Sequence, residues 1–178
     1  SLPGGHDAVD DAALVHAIAL LPADADLLAA RRGSVVWSPR CNISLYGMTA
    51  PITTYRNMGV NVALGTDWLP SGSMNLLREL QCARDYSDAL LDSELSDHDL
   101  VGMVTWNAAH AARMDDAIGH LRPGLVADIA IFDGSVHLDA AAVIDAAAPD
   151  VVLVLKAGVP MYGDAAVLED LGVSPAEC

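Results

Sequence analysis

Short apolar runs alternate with amphipathic stretches along the chain, and their spacing predicts an order of elements. Ala12-Ala13-Leu14-Val15-His16 reads as a buried strand that ends in a histidine. Residues 24–32 read as a helix, with Gly33 in the C-terminal stop position. A second strand covers 34–37, and a polar, turn-rich loop runs from Ser38 to Gly47. A second helix is predicted over 50–58, stopped by Gly59. The third strand, 60–64, runs directly into Gly65-Thr66-Asp67. Strand, helix, strand, helix, strand at this spacing predicts parallel pairing with right-handed crossovers.

Beyond a loop holding Pro70 and Gly72, helices are predicted over 74–86 and 97–113. Ser96 is placed to cap the second, with Asp99 in the acidic box position. The last third changes character. Residues 129–133 read as a strand and 139–147 as a short Ala-rich helix. Residues 151–155 and 159–162, joined by Lys156-Ala157-Gly158, read as a hairpin. This predicts an α/β part over 1–118 and a small β-rich unit over 119–178, with the division near 119–124.

Composition narrows the class. The chain of 178 residues is 53% hydrophobic and 19% charged, which suits a packed core and not a disordered chain. Aromatics are only 4%, so Ala, Val, Leu and Ile must build that core. A net charge of −15, from 9 basic and 24 acidic residues, argues against nucleic acid and against anionic membrane surfaces as partners. No apolar run approaches the roughly 18 residues of a membrane span. Cys41, Cys82 and Cys178 form no metal-binding spacing, and their odd number without a signal sequence predicts a reducing, cytoplasmic setting. The first residue is Ser1, which suggests a processed start or a piece of a longer chain; Ser1 and Leu2 would also suit tag remnants.

Two positions carry candidate chemistry on these grounds alone. His16 and Asp67 both fall at the C-terminal ends of predicted parallel strands, the edge at which such sheets bind ligands. A carboxylate in a Gly-Thr-Asp turn straight after a strand is placed to ligate a metal or accept a proton; it would equally cap the next turn. For His16, a satisfied core histidine is the commoner reading on chemistry alone. In the loop after the middle strand, Arg40 and Asn42 offer donors to a polar substrate, or form an ordinary turn. Trp68 would wall a ligand site or pack beneath its loop.

Five segments, in order, resemble the metal-dependent amidohydrolases. Ala-Leu-Val-His (13–16) resembles the sixth barrel strand of that superfamily. Val-Val-Trp-Ser-Pro-Arg-Cys-Asn (35–42) is similar to the seventh strand and the segment after it. Gly-Val-Asn-Val-Ala-Leu-Gly-Thr-Asp (59–67) is similar to the eighth strand. Thr105-Trp106-Asn107-Ala108-Ala109 and the stretch 118–128 resemble the passage from barrel to accessory β-sandwich. The nearest branch is that of chlorohydrolases, cytosine-deaminase-like and imidazolonepropionase-like enzymes.

The resemblance implies a fold class of α/β, with the last three strands and helices of a TIM-type (β/α) barrel and a β-rich unit from a composite β-sandwich. It implies Asp67 as a catalytic metal ligand that also takes a proton from the attacking water, and His16 as the residue orienting substrate or hydroxide. It implies substrate contacts from Arg40, Asn42 and Trp68. The implied cofactor is a divalent metal ion, zinc first, with iron or manganese also suited. The implied partner is a small, polar, heterocyclic substrate whose carbon–nitrogen bond is hydrolysed. The superfamily's His-x-His pair, its fifth-strand histidine and a fourth-strand bridging residue have no counterpart in this chain. His6, His98, His110, His120 and His137 read as surface or helix residues. A catalytic zinc needs three or more protein ligands, so this chain alone is expected to bind metal poorly and to be inactive, the remainder lying in a longer parent or a partner. A barrel takes roughly 250 residues. The first and last of the three strands would be open edges, which predicts a domain-swapped or edge-paired homodimer, or an edge-paired oligomer. The competing reading is a non-catalytic binding or assembly module that has kept the fold.

Overall fold

The structure, a computed structural model, describes residues 10–173. Ser1, Leu2, His6 and Cys178 lie outside the described residues. Three strands, β1 (Ala13–Val15), β2 (Ser34–Trp37) and β3 (Asn61–Leu64), form one sheet in the order β1-β2-β3. Both pairings are parallel, with Val15 opposite Val36 and Val36 opposite Ala63. The connections are helical, as the alternation predicts: α1 (Pro22–Ala30) joins β1 to β2, and α2 (Pro39–Tyr46) and α3 (Ile52–Asn57) join β2 to β3.

α2 corrects the sequence reading, which has a loop over 38–47. Pro39 sits at the first helical position, where its missing N–H costs nothing and its fixed φ favours the helix. Gly47 ends the helix at a positive φ of 67°. The end of α1 also differs from expectation. Arg32 takes the left-handed backbone, with φ of 54°. Gly33 is needed for space, since a Cβ there would stand 2.2 Å from Leu28 Cδ1.

After β3 come α4 (Leu76–Leu90), α5 (Asp97–Val104) and α6 (Trp106–Ala111). Ser96 and Asp99 form the expected capping box on α5. The single helix expected over 97–113 is broken at Thr105, whose φ of −119° and ψ of −98° leave the helical region. The Thr105 hydroxyl donates to Val101 O at 2.7 Å, the back-bond that bends helices. Asn107 Nδ2 then donates to Val62 O at 2.9 Å and so ties α6 to β3.

One face of the sheet is covered by helices. Val35 and Trp37 of β2 and Val62 and Leu64 of β3 share a core with Leu80 of α4 and Leu100 and Met103 of α5. The opposite face is exposed at β1, where Val15 is 57% exposed, and closed at β3, where Ala63 is buried. Within the sheet, β1 and β3 are the edges.

The chain's last third forms a separate antiparallel sheet of β4 (Ile129–Phe132), β5 (Val151–Lys156) and β6 (Val159–Gly163), followed by α8 (Ala165–Asp170). Ala157 and Gly158 turn the β5–β6 hairpin, both at positive φ. Between β4 and β5, α7 (Asp139–Ile144) packs on α4 and α5. Ile144 is fully buried in the core of the first sheet, and an Arg84–Asp145 ion pair fastens the end of α7 to α4. Among the described residues, no helix is long and apolar enough to cross a membrane.

Ile144→Ala is therefore expected to destabilise the α/β core although the residue lies far along the chain. The cost should be about 2–5 kcal/mol, as for other buried aliphatic truncations. Urea denaturation followed by tryptophan fluorescence checks this, because Trp37 and Ile144 report the same core.

Candidate active site

The three parallel strands leave the sheet at one edge, and the residues that follow them converge there. His16 follows β1 at a φ of 67°, and Asp67 lies just past β3 at a φ of 56°. Histidine and aspartate enter this left-handed region more readily than most residues. The turn aims both side chains at one place: His16 Nε2 lies 3.7 Å from Asp67 Oδ2, with each side chain 26% exposed.

The first turn of α2 fills the gap between them. Cys41 Sγ lies 2.6 Å from Asp67 Oδ2 and 3.0 Å from Ser71 Oγ. Asn42 Nδ2 lies 2.9 Å from His16 Nδ1. Both Cys41 and Asn42 are fully buried. Burial pushes the Cys41 thiol up, and the hydrogen bond to Asp67 pushes it the same way. The thiol thus keeps its proton and donates it to the carboxylate. Tyr46, at the end of α2, stands edge-on to the His16 ring at 5.9 Å.

His16, Cys41 and Asp67 form the one group of possible metal donors among the described residues, with ligand atoms all within 4.8 Å of one another. Nitrogen, sulfur and carboxylate oxygen suit a borderline cation such as zinc. Two ligands on one tetrahedral zinc, with Zn–S of about 2.3 Å and Zn–O of about 2.0 Å, stand about 3.5 Å apart. The Cys41–Asp67 separation of 2.6 Å is far shorter. Cys41 is therefore placed as a hydrogen-bond donor to Oδ2, which leaves Oδ1 as the carboxylate oxygen free to meet a cation.

The other residues singled out from the sequence divide. Asn42 joins the cluster through His16. Arg40 is exposed, and its Nε donates to Ser73 Oγ at 2.7 Å. Trp68 is 60% exposed, and its carbonyl accepts from Gly72 N. Gly72 makes that close turn possible, since a Cβ there would stand 1.9 Å from Thr66 O. Cys41, Thr49 and Glu79 escaped the sequence reading. Thr49 Oγ1 donates to Asn42 Oδ1 at 3.0 Å. Glu79 of α4 is fully buried, and its Oε1 accepts from Arg40 N, at the start of α2, at 3.1 Å. Its Oε2 has no hydrogen-bond partner among the described residues. Burial pushes the Glu79 carboxyl up, against the opposing pull of Ser73 and Arg40.

In parallel α/β folds the C-terminal edge of the sheet is where ligands bind, and His16 and Asp67 stand at that edge of this sheet. Residues 4–162 match the model of the amidohydrolase family, and the chain belongs to that family. It is 34% identical over 122 residues to a 5-methylthioadenosine/S-adenosylhomocysteine deaminase of Teredinibacter turnerae, covering 67% of this chain and 28% of the relative. It is 36% identical over 121 residues to the protein of the same name from Syntrophobacter fumaroxidans, covering 66% of this chain and again 28% of the relative. Among solved structures, an adenosine deaminase from Xanthomonas campestris with bound zinc superposes with a TM-score of 0.75 at 27% identity, over 89% of this chain and 40% of that one. The guanine deaminase of E. coli superposes with a TM-score of 0.73 over 85% of this chain and 39% of that one. At 22% identity it speaks for the fold alone. The chain thus spans under a third of the length of the two deaminases matched by sequence.

Glu79 sets a pH dependence whose sign follows from its burial. In the unfolded chain a glutamate titrates near about 4.3; in the fold Glu79 titrates higher. Its contribution is fully present below the unfolded value and is lost as pH rises through the folded one. Glu79→Gln keeps the shape and removes the charge. The variant's melting temperature, compared with that of the unaltered protein, should gain as pH rises above the unfolded value of about 4.3. A difference that stays constant with pH would show that Glu79 does not titrate differently in the fold.

Proposed function

We propose that this chain forms the last three strands of a (β/α)8 barrel, with the small antiparallel sheet as part of an accessory β-sandwich. We propose further that it carries the sixth-strand histidine, His16, and the eighth-strand carboxylate, Asp67, of a metal-dependent hydrolase that removes an amino group from a purine-like heterocycle. The observation that carries this reading is the convergence of His16 and Asp67 at the C-terminal edge of the parallel sheet, 3.7 Å apart. The exposure of Val15 and the edge position of β1 and β3 also support it, since further barrel strands would cover both. The deaminase names of the relatives support the substrate class.

Asp67 would hold the divalent ion, with further ligands drawn from the other strands of the barrel. When bound, such an ion lowers the pKa of water and polarises the substrate. Asp67 accepts a proton from the attacking water. His16 faces the same space and hydrogen-bonds the oxygen that adds to the ring carbon. The proton returns to the leaving nitrogen, ammonia departs, and the ring keeps the oxygen. Arg40, Asn42 and Trp68 divide in this scheme: Asn42 acts through His16, while the exposed Arg40 and Trp68 stand at the rim and contact substrate.

The test is ammonia release from adenosine-type nucleosides by the full product of the gene, supplied with zinc. Asp67→Asn should lower turnover by about 10²–10⁴-fold, the scale of a lost general base. It should also remove zinc-dependent protection against heat. Full activity in Asp67→Asn would exclude the carboxylate from the chemistry. A zinc-loaded protein that releases no ammonia from any amino-heterocycle would favour a binding or assembly module instead.

A further inference from the structure

On the side of His16 that faces away from Asp67, side-chain hydrogen bonds run in series back into the core. The series begins at Trp37, which is fully buried and whose Nε1 lies 2.7 Å from Thr49 Oγ1. Thr49 Oγ1 lies 3.0 Å from Asn42 Oδ1. Asn42 Nδ2 lies 2.9 Å from His16 Nδ1.

The direction of the series follows from its first member. An indole N–H donates and accepts nothing, so Trp37 donates to the Thr49 oxygen. The Thr49 hydroxyl has one proton to give, and Asn42 Oδ1 is the acceptor it reaches. The Asn42 amide is thereby oriented with its NH2 group toward His16. The reversed amide would turn its NH2 to the same hydroxyl oxygen and leave the proton of the partly buried Thr49 hydroxyl to solvent, whereas the series as found uses that proton on Asn42 Oδ1. Asn42 is fully buried, so its amide pairs within the series and not with water, and the arrangement that uses every donor in it is favoured. Facing an NH2 donor, His16 Nδ1 must accept. It carries no proton, and the neutral ring holds its proton on Nε2.

We propose that Trp37, Thr49 and Asn42 are positioning residues that set His16 in the Nε2–H tautomer. His16 is then a hydrogen-bond donor into the site, and not a ligand for a cation. A protonated Nε2 has no lone pair to offer a metal. At 3.7 Å from Asp67 Oδ2 it makes no hydrogen bond to the carboxylate. Its N–H is left for an oxygen held between the two side chains. The identity of that oxygen as the attacking water or the developing product oxygen rests on the function proposed above; the tautomer does not.

The test reads the ring directly. Protein labelled with 15N at the histidine rings is studied by long-range proton–nitrogen correlation at a pH where the ring is neutral, with His16 assigned by its loss in His16→Gln. The expected spectrum has His16 Nδ1 as an unprotonated nitrogen and Nε2 as a protonated one. Asn42→Asp replaces the donor by a group that only accepts, so the proton should move to Nδ1. If that variant does not fold, Trp37→Phe serves in its place. It keeps an aromatic ring in the core and removes the N–H that directs the series, and it should give a mixture of both tautomers. A wild-type ring protonated on Nδ1 overturns the proposal. So does a tautomer that stays the same in the folded variant used. Because no substrate or metal enters the measurement, a correct tautomer in a protein without deaminase activity would sink the function and leave the relay standing. The wrong tautomer in an active deaminase would do the reverse.

Discussion

Because β2 pairs with β1 on one side and β3 on the other, all running the same way, three chain segments must leave the sheet at one edge. Neighbouring strands stand about 4.8 Å apart, so the backbones that follow β1 and β3 are separated by about twice that. The segment after the middle strand has to occupy the space between. That segment is a helix whose first turn offers two adjacent residues to two different neighbours. Cys41 meets Asp67 on one side and Asn42 meets His16 on the other. A flat, irregular loop would not hold two consecutive side chains at such distances. The helix geometry of α2 is thus a consequence of the parallel pairing and the means by which the site is supported.

The support is dry and the working side is not. Cys41, Asn42 and Glu79 are fully buried, whereas His16 and Asp67 each keep about a quarter of their side chain in contact with solvent. Hydrogen bonds made in the buried layer are strong in the low local dielectric and cannot be exchanged for water. They fix the orientation of the partly exposed pair before any ligand arrives, which is what a site needs to act without reorganising. Glu79 extends this layer one step further, from α4 to the N–H of Arg40 at the start of α2.

Much of the scaffold is legible in the sequence because it rests on local patterns. The three apolar runs that form β1, β2 and β3 are short and end in turn residues, and their spacing allows only helical crossovers. The placement of His16 and Asp67 at strand ends follows from that alone. The segment 39–46 misleads because Pro39 and Asn42 are turn residues by composition, although a proline is also the best opening residue a helix can have. Cys41 and Glu79 carry no usable signal. Cys41 is separated from Asp67 by 26 positions and from any other cysteine by more than a motif's length, and its meaning is a distance. Glu79 looks like any helical glutamate until its burial is known. Ile144 shows the same limit in the fold: an Ala-rich helix after a β-rich signal reads as part of the later unit, yet its side chain completes the earlier core.

Trp37 belongs to both the core and the site. Its ring is part of the main apolar core and stands edge-on to Tyr86 at 6.0 Å. Its N–H points the other way, to Thr49. A chain with so few aromatic residues has placed one of its three tryptophans where an aliphatic or phenyl side chain would fill the volume equally well. Volume therefore does not explain the choice. What the indole adds is a donor that can never reverse its role, at the buried end of a series whose other members, a hydroxyl and an amide, can each point either way. A series built only of such ambivalent groups would have two nearly equal states. One obligate donor makes the two states unequal, because it occupies one lone pair of the Thr49 oxygen, and packing in the core holds that donor still. The same residue that closes the hydrophobic core thus sets the polarity of the hydrogen bonds that reach His16.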